Sequence, residues 1–181
     1  MWRRRQDALE RARGAIEDLE IPSAAFKTCP WEPRSLVENG LRQWLLCCAA
    51  ALRDDQIIGM PSHAVDEAWH GLILCTARYA TFCDAAYGRF LHHHPEGGAP
   101  AGHEVKADSM DEQLRRTVIA WSLVARPGER CVLWDLDSTV RVDGPLLTAA
   151  MRGSPLSLSA APPAIGTLNS SCTPSKTWSA V

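Results

Sequence analysis

The spacing of side chains between positions 65 and 90 constrains the fold of this chain more than any other feature. Eight positions recur there at alternating steps of four and three: Val65, Trp69, Leu72, Thr76, Tyr79, Cys83, Ala86 and Phe90. On an α-helix this spacing forms one continuous face, so we expect these side chains to face the core. Ser62 is a good N-cap after Pro61. The pattern therefore predicts a long helix from Ser62 to Phe90, which Gly88 either ends or bends.

Three further helices are predicted around it. Residues 3–20 and 34–53 carry amphipathic patterns, and Ser109 with Glu112 forms a capping box before a helix that ends near Ala125. In the last two helices the inward positions are expected to be Val37, Leu41, Trp44, Cys48 and Leu52, and then Leu114, Val118, Trp121 and Ala125. We therefore predict an all-α fold, a compact bundle of four to five helices over residues 1–143. Residues 144–181 are rich in Ser, Pro and Ala, so a disordered tail is predicted there.

Composition and charge exclude several classes of function. The net charge of −2 provides no basic footprint, so we do not expect nucleic acid as a partner. The longest apolar run, residues 44–52, is about half as long as a membrane-spanning helix. The basic start is not followed by the apolar run of a secretory signal, and the seven cysteines lack zinc-ribbon spacing. These features predict a cytoplasmic protein and leave its partners open, a second copy of the chain included.

A carboxylate and several imidazoles form the main candidate site. Asp66 and His70 are four residues apart and therefore share one helix face, while His92 and His93 follow Gly88. One carboxylate and two imidazoles can ligate a transition metal ion such as zinc, iron or copper and leave a position open for water or substrate. We predict a metal site formed by Asp66 and His70 with His92 or His93, and we expect three other residues to line it: Trp69, Tyr79 and Cys83.

This site has a geometric condition. Along one straight helix Asp66 and His92 would lie about 39 Å apart, at a rise of about 1.5 Å per residue. The donors can meet only if the chain reverses, which we expect near Asp84–Gly88, or if a second copy supplies the missing imidazole. The alternative is a non-enzymatic helical interaction module. In that case Asp66 interacts with the helix dipole and hydrogen-bonds to His70, and Trp69 is a packing anchor.

A second motif competes with the metal site. Asp135, Asp137 and Thr139 follow an apolar stretch in the pattern Asp-x-Asp-x-Thr, which resembles the first motif of the haloacid-dehalogenase-like phosphatases. That chemistry needs a doubly wound sheet downstream, with a lysine and further carboxylates. Only 42 residues follow Thr139. We therefore expect no phosphatase activity from this motif.

The central stretch also carries a family pattern. Its residues are Met60-Pro61-Ser62, Val65-Asp66-x-x-Trp69-His70, Thr76-x-x-Tyr79-x-x-Phe82-Cys83, Gly88-x-Phe90-Leu91-His92-His93 and Pro95. This pattern resembles the glycine-rich domain-containing proteins of plants and, in shorter form, of bacteria. The resemblance implies no activity. It does imply that Asp66, Trp69, His70, Cys83, His92 and His93 belong to the family pattern, whereas His63, His94 and Asp135 do not.

Overall fold

The computed structural model describes residues 2–27, 29–95, 109–142 and 178–180. Within these residues the chain is mostly helical, and the predicted all-α class is confirmed. The helices are α1 Trp2–Glu17, a 3-10 helix Ser23–Phe26, α2 Arg34–Arg53, α3 His63–Leu74, α4 Thr76–Tyr87, α5 Met110–Val124 and α6 Leu136–Thr139. The short strands are β1 Trp31–Glu32, β2 Ile58–Gly59, β3 His93–Pro95, β4 Arg141–Val142 and β5 Trp178–Ala180.

Helix α2 lies at the centre of the core. It contacts α1, α3 and α5, so apolar side chains are buried around most of its circumference. The predicted inward positions of this helix are buried, apart from Leu52, which is half-buried. Gly40 allows the closest approach in α2, because a Cβ there would lie 2.5 Å from Leu136 and 2.8 Å from Val65. Gly40 is therefore a point of close contact of α2 with α3 and α6. By sequence alone it only weakens the helical pattern.

The long helix predicted between Ser62 and Phe90 is two helices. The chain breaks at Cys75, whose φ of −80° and ψ of 54° lie outside the helical region, and α4 begins at the next residue. Six of the eight seam residues are buried, but Thr76 is exposed and Phe90 is 43% exposed. Since α3 and α4 are separate helices, the helical spacing does not continue unchanged across Cys75. The helix thus breaks at Cys75, where no break was predicted, whereas α4 ends at the left-handed Gly88, within the predicted Asp84–Gly88.

Helix α5 buries a face that overlaps the predicted one only in part, since Leu114, Trp121 and Ala125 are half-buried. Val118 is 50% exposed, whereas Thr117, Ala120 and Val124 are buried. The hydroxyl of Thr117 donates a hydrogen bond of 2.7 Å to the Gly59 carbonyl of β2. This bond satisfies the buried Thr117 hydroxyl, so a threonine can occupy a core position. The apolar pattern had favoured the neighbouring Val118 as the inward residue.

The strands form two small antiparallel sheets in the described part of the chain. β1 pairs with β4, and β5 lies between β2 and β3. The predicted disordered tail falls outside the described residues except at Trp178–Ala180, which form β5. None of the helices in the described ranges has the length and apolar character needed to span a membrane.

Helix α3 packs directly against the backbone of the 3-10 helix at Gly71. An added Cβ would lie 1.8 Å from the carbonyl oxygen of Ala25, far inside the van der Waals contact distance. Since Ala25 contributes backbone atoms there, a side-chain rotation cannot relieve the overlap. The packing of α3 against the 3-10 helix therefore requires glycine at residue 71, because only a hydrogen fits in place of a side chain there.

We expect Gly71→Ala to destabilise the protein, because the added methyl group overlaps the Ala25 carbonyl. The free energy of unfolding, measured by urea denaturation with circular dichroism, should fall by about 1–3 kcal/mol or more, the usual cost of overpacking. Gly14→Ala is the matched control, because Gly14 lies in α1 with open space around a Cβ. That change should raise the free energy of unfolding by up to about 1 kcal/mol through helix propensity. Equal effects of the two substitutions would contradict the close contact at Gly71.

Candidate metal centre

The first turn of α3, which carries Asp66, is fixed by two capping groups. The Ser62 hydroxyl accepts a hydrogen bond from the Val65 amide (3.2 Å) and donates one to Asp137 (2.7 Å). The same Asp137 carboxylate accepts hydrogen bonds from the backbone amides of His63 (2.7 Å) and Ala64 (3.1 Å). Amides at the start of a helix have no partner within it, and a carboxylate there also interacts favourably with the helix dipole. Asp137 therefore holds the N-terminus of α3 in place.

These contacts give the two carboxylates of the Asp-x-Asp motif separate structural roles. Asp137 binds the start of α3, whereas the exposed Asp135 forms an ion pair with Arg130 at 2.6 Å. A nucleophile and an acid/base of the phosphatase type would have to face one common substrate position. The motif instead connects the chain after residue 130 to α3.

The side chain of Asp66 is buried, with 2% of its surface exposed, and it lies between two imidazoles. One carboxylate oxygen, Oδ2, is 3.5 Å from Nδ1 of His70, which follows one turn later on α3. The other oxygen, Oδ1, is 3.5 Å from Nε2 of His93, which lies on β3. The structure thus brings together three of the four predicted ligands within one chain, so a second copy is not needed to complete the group.

The turn after α4 places His93 beside α3. Gly88 adopts a left-handed conformation with φ 68°, which ends α4 and directs the chain back toward the start of α3. The His93 ring then lies 4.4 Å from the His70 ring and 4.9 Å from the Trp69 ring, between centroids. Trp69 lies between Asp66 and His70 in the sequence of α3. Its contact with His93 therefore comes from the same helix that carries the other two donors.

The distances in this group are too long for hydrogen bonds and suitable for shared ligation. A separation of 3.5 Å exceeds the usual N–H···O range of about 2.7–3.2 Å. Neither Asp66 oxygen accepts a hydrogen bond from the described residues. Two ligand atoms of a tetrahedral ion with bonds of about 2.0–2.2 Å lie about 3.4 Å apart. One donor atom from each of Asp66, His70 and His93 lies within 4.8 Å of the others, so the three can hold a single ion.

Solvent reaches the group from one side. The side chain of His70 is 33% exposed and that of His93 is 13% exposed, whereas the carboxylate between them is buried. The His70 edge is therefore the more solvent-accessible side of the group.

The remaining predicted site residues occupy different surroundings. His92 is exposed, its ring lies 4.9 Å from that of Phe90, and it is not in the donor group. Trp69 contacts His93, as described above.

Tyr79 donates a hydrogen bond to the Leu91 carbonyl at 2.8 Å and accepts one from Trp69 Nε1 at 3.1 Å. Cys83 lies beside the same hydroxyl and the Leu91 backbone. Burial raises the pKa of both the Tyr79 hydroxyl and the Cys83 thiol, so both groups stay protonated.

Comparison with known proteins identifies a family. No match was found among curated proteins or among solved structures. The model of a family described as UCP032817-like matches residues 23–129, which is more than half of the chain and includes all three residues of the donor group. The matched segment begins at the 3-10 helix and ends shortly after α5. The chain therefore belongs to the UCP032817-like family.

Proposed function

We propose that the protein binds one transition metal ion through Asp66, His70 and His93. The observation that carries this proposal is the buried carboxylate of Asp66, whose two oxygens each lie 3.5 Å from an imidazole nitrogen. His70 follows Asp66 by a single helical turn, and His93 is brought to it by the turn at Gly88 that ends α4. A carboxylate with two imidazoles is a common ligand set for zinc and for non-haem iron, and imidazole also suits copper.

The energetics of a buried charge favour this proposal. An ionised carboxylate inside a protein destabilises the fold unless hydrogen bonds or positive charge compensate for the lost hydration. The dipole of α3 offsets a part of that cost, since Asp66 lies in its first turn. A divalent ion held by Asp66 and the two imidazoles would compensate for the carboxylate at the separations observed.

The same arrangement suits a metal with an open coordination position. Three protein ligands leave at least one site for water or a small substrate, as in catalytic zinc centres. A metal bound there would supply Lewis acidity toward water or, with iron or copper, reactivity toward oxygen. The partial exposure of His70 gives the open position access to solvent. Cys83 is a poor ligand in this scheme, because burial raises the pKa of its thiol.

Two broader features of the proposal rest on the sequence alone. We propose a cytoplasmic location from the expected reduced cysteines. We also propose a relationship to the glycine-rich domain-containing proteins, carried by Val65-Asp66-x-x-Trp69-His70 and Gly88-x-Phe90-Leu91-His92-His93.

Metal analysis of single variants provides the first test. We expect purified wild-type protein, dialysed against zinc and then against buffer, to retain about one equivalent of metal per chain in elemental analysis. His93→Ala and His70→Ala should each lose this metal because each removes one ligand. The matched control is His92→Ala, which changes the neighbouring exposed imidazole outside the donor group and should leave the stoichiometry unchanged.

The outcome separates the two functions considered from the sequence. Wild-type protein without stoichiometric zinc, iron or copper would contradict the metal site and favour the helical interaction module. Loss of metal from His92→Ala as large as that from His93→Ala would contradict the ligand assignment. Circular dichroism of each variant shows whether the loss follows from unfolding.

Thermal stability provides a second test of the same site. A ligand that binds only the folded state raises the free energy of unfolding by about 2.7 kcal/mol at a free concentration of 100 times its Kd. We expect zinc to raise the melting temperature of the wild type accordingly, measured by differential scanning fluorimetry with and without a chelator. Asp66→Asn keeps the shape of the side chain but removes its charge, so its melting temperature should not respond to zinc. An equal response of both proteins would exclude Asp66 as a ligand.

A further inference from the structure

The segment that carries His93 is attached to the core by a buried hydrogen bond. The Tyr79 hydroxyl, on α4, donates to the carbonyl oxygen of Leu91 at 2.8 Å, two residues before His93. Tyr79 and the Leu91 side chain are fully buried. The segment has left the helix at Gly88 and pairs in a sheet only from His93 onward, so this bond fixes its backbone between these two points.

The same hydroxyl connects the segment to the helix that carries the other two donors. Trp69 Nε1 donates to the Tyr79 hydroxyl at 3.1 Å, and the Trp69 ring packs at 4.9 Å from the His93 ring. Trp69 lies between Asp66 and His70 along α3 and is fully buried. The Tyr79 hydroxyl thus has one hydrogen-bond partner on α3, the Trp69 indole, and one on the segment that carries His93, the Leu91 carbonyl. Both partners are inside the core.

We propose that Tyr79 is a positioning residue of the metal centre, whose hydroxyl holds His93 at ligand distance from Asp66 by binding both the Leu91 carbonyl and the Trp69 indole. This inference rests on the proposed metal binding and goes beyond it, because Tyr79 is neither in the donor group nor next to a donor in sequence. Groups that orient ligands in this way influence metal affinity strongly, and their removal typically weakens binding about 10–100-fold.

The surroundings of Tyr79 support a structural hydrogen bond over a chemical role. Burial raises the pKa of its hydroxyl, so the group is a neutral donor at neutral pH. The carbonyl that it binds has no access to water at this position, since the residue is fully buried. Removing the hydroxyl would therefore leave a buried carbonyl without this donor, and the 91–93 segment would shift to regain one.

The chain contains a matched control for this position. Tyr87, on the same helix, donates its hydroxyl to the Leu45 carbonyl of α2 at 3.0 Å. Tyr79→Phe and Tyr87→Phe therefore each remove one hydroxyl from α4 that binds a backbone carbonyl. Only the first of these carbonyls belongs to the segment that carries His93.

The experiment is a competition titration of the full-length wild type and both variants with zinc against a chromophoric chelator. We expect Tyr79→Phe to weaken zinc affinity about 10–100-fold, and Tyr87→Phe to leave it within about twofold of the wild type. Urea denaturation of the metal-free proteins measures the loss of stability in each. Similar losses of stability with different losses of affinity would separate positioning from a general weakening of the fold.

A second measurement uses the metal-free protein. The Trp69 ring lies close enough to shift the ring-proton resonances of His93, which can be assigned by comparison with His93→Ala. These resonances should move in Tyr79→Phe and stay in place in Tyr87→Phe.

Each outcome decides one point. Unchanged zinc affinity in Tyr79→Phe, or an equal loss in Tyr87→Phe, would overturn the positioning role. A wild type that binds none of zinc, iron and copper would overturn the proposed function, and with it the role of Tyr79 in metal affinity. The resonances would then still show whether Tyr79 holds His93 in place, so the two failures are distinguishable.

Discussion

The burial of the Asp66 carboxylate is the constraint on which the arrangement of the central helices depends. A carboxylate without water requires compensating charge or hydrogen-bond donors in fixed positions. The fold provides a helix N-terminus beneath it, one imidazole a turn further along the same helix, and a second imidazole from β3. These groups keep their places because Ser62 and Asp137 cap α3 and because Gly71 lets that helix lie against the 3-10 helix. The cap and the close packing of α3 therefore help to set the distances within the site.

The sequence predicts the helical class and a part of the donor group for clear physical reasons. The spacing of Asp66 and His70 alone places both on one helix face, and the apolar pattern of α2 matches its buried face except at the half-buried Leu52. The break at Cys75 carries no such signal, because neither glycine nor proline is present and the alternating steps continue across it. Across the break, α3 and α4 are joined by the hydrogen bond from Trp69 Nε1 to the Tyr79 hydroxyl, which no spacing pattern represents. The sequence also leaves open which of His92 and His93 is the donor, because that depends on the path of the chain after Gly88.

Other features depend on atoms that sequence patterns do not represent. Hydropathy favours Val118 over Thr117 as a core residue, yet a hydrogen bond to the Gly59 carbonyl makes the threonine the buried one. Asp137 belongs to a motif that resembles a catalytic one, and its contacts with the amides of His63 and Ala64 follow only from three-dimensional proximity. Tyr79 was expected beside the metal, and its hydroxyl instead binds the backbone that precedes His93. In each case the side chain binds a backbone carbonyl or amide, and that partner decides the role of the side chain. Sequence patterns do not reveal such partners, because backbone groups are common to nearly all residues.

The cap that Asp137 forms on α3 has a consequence for the order in which the molecule can be completed during synthesis. Asp66, His70 and His93 leave the ribosome well before residue 137, whereas two backbone amides in the turn that holds Asp66 receive their acceptor only from that later residue. Sequence separations of this size between partners are associated with slow, late steps in folding. A nascent chain ending before α6 would therefore contain every donor of the group and still lack the contact that fixes the first of them.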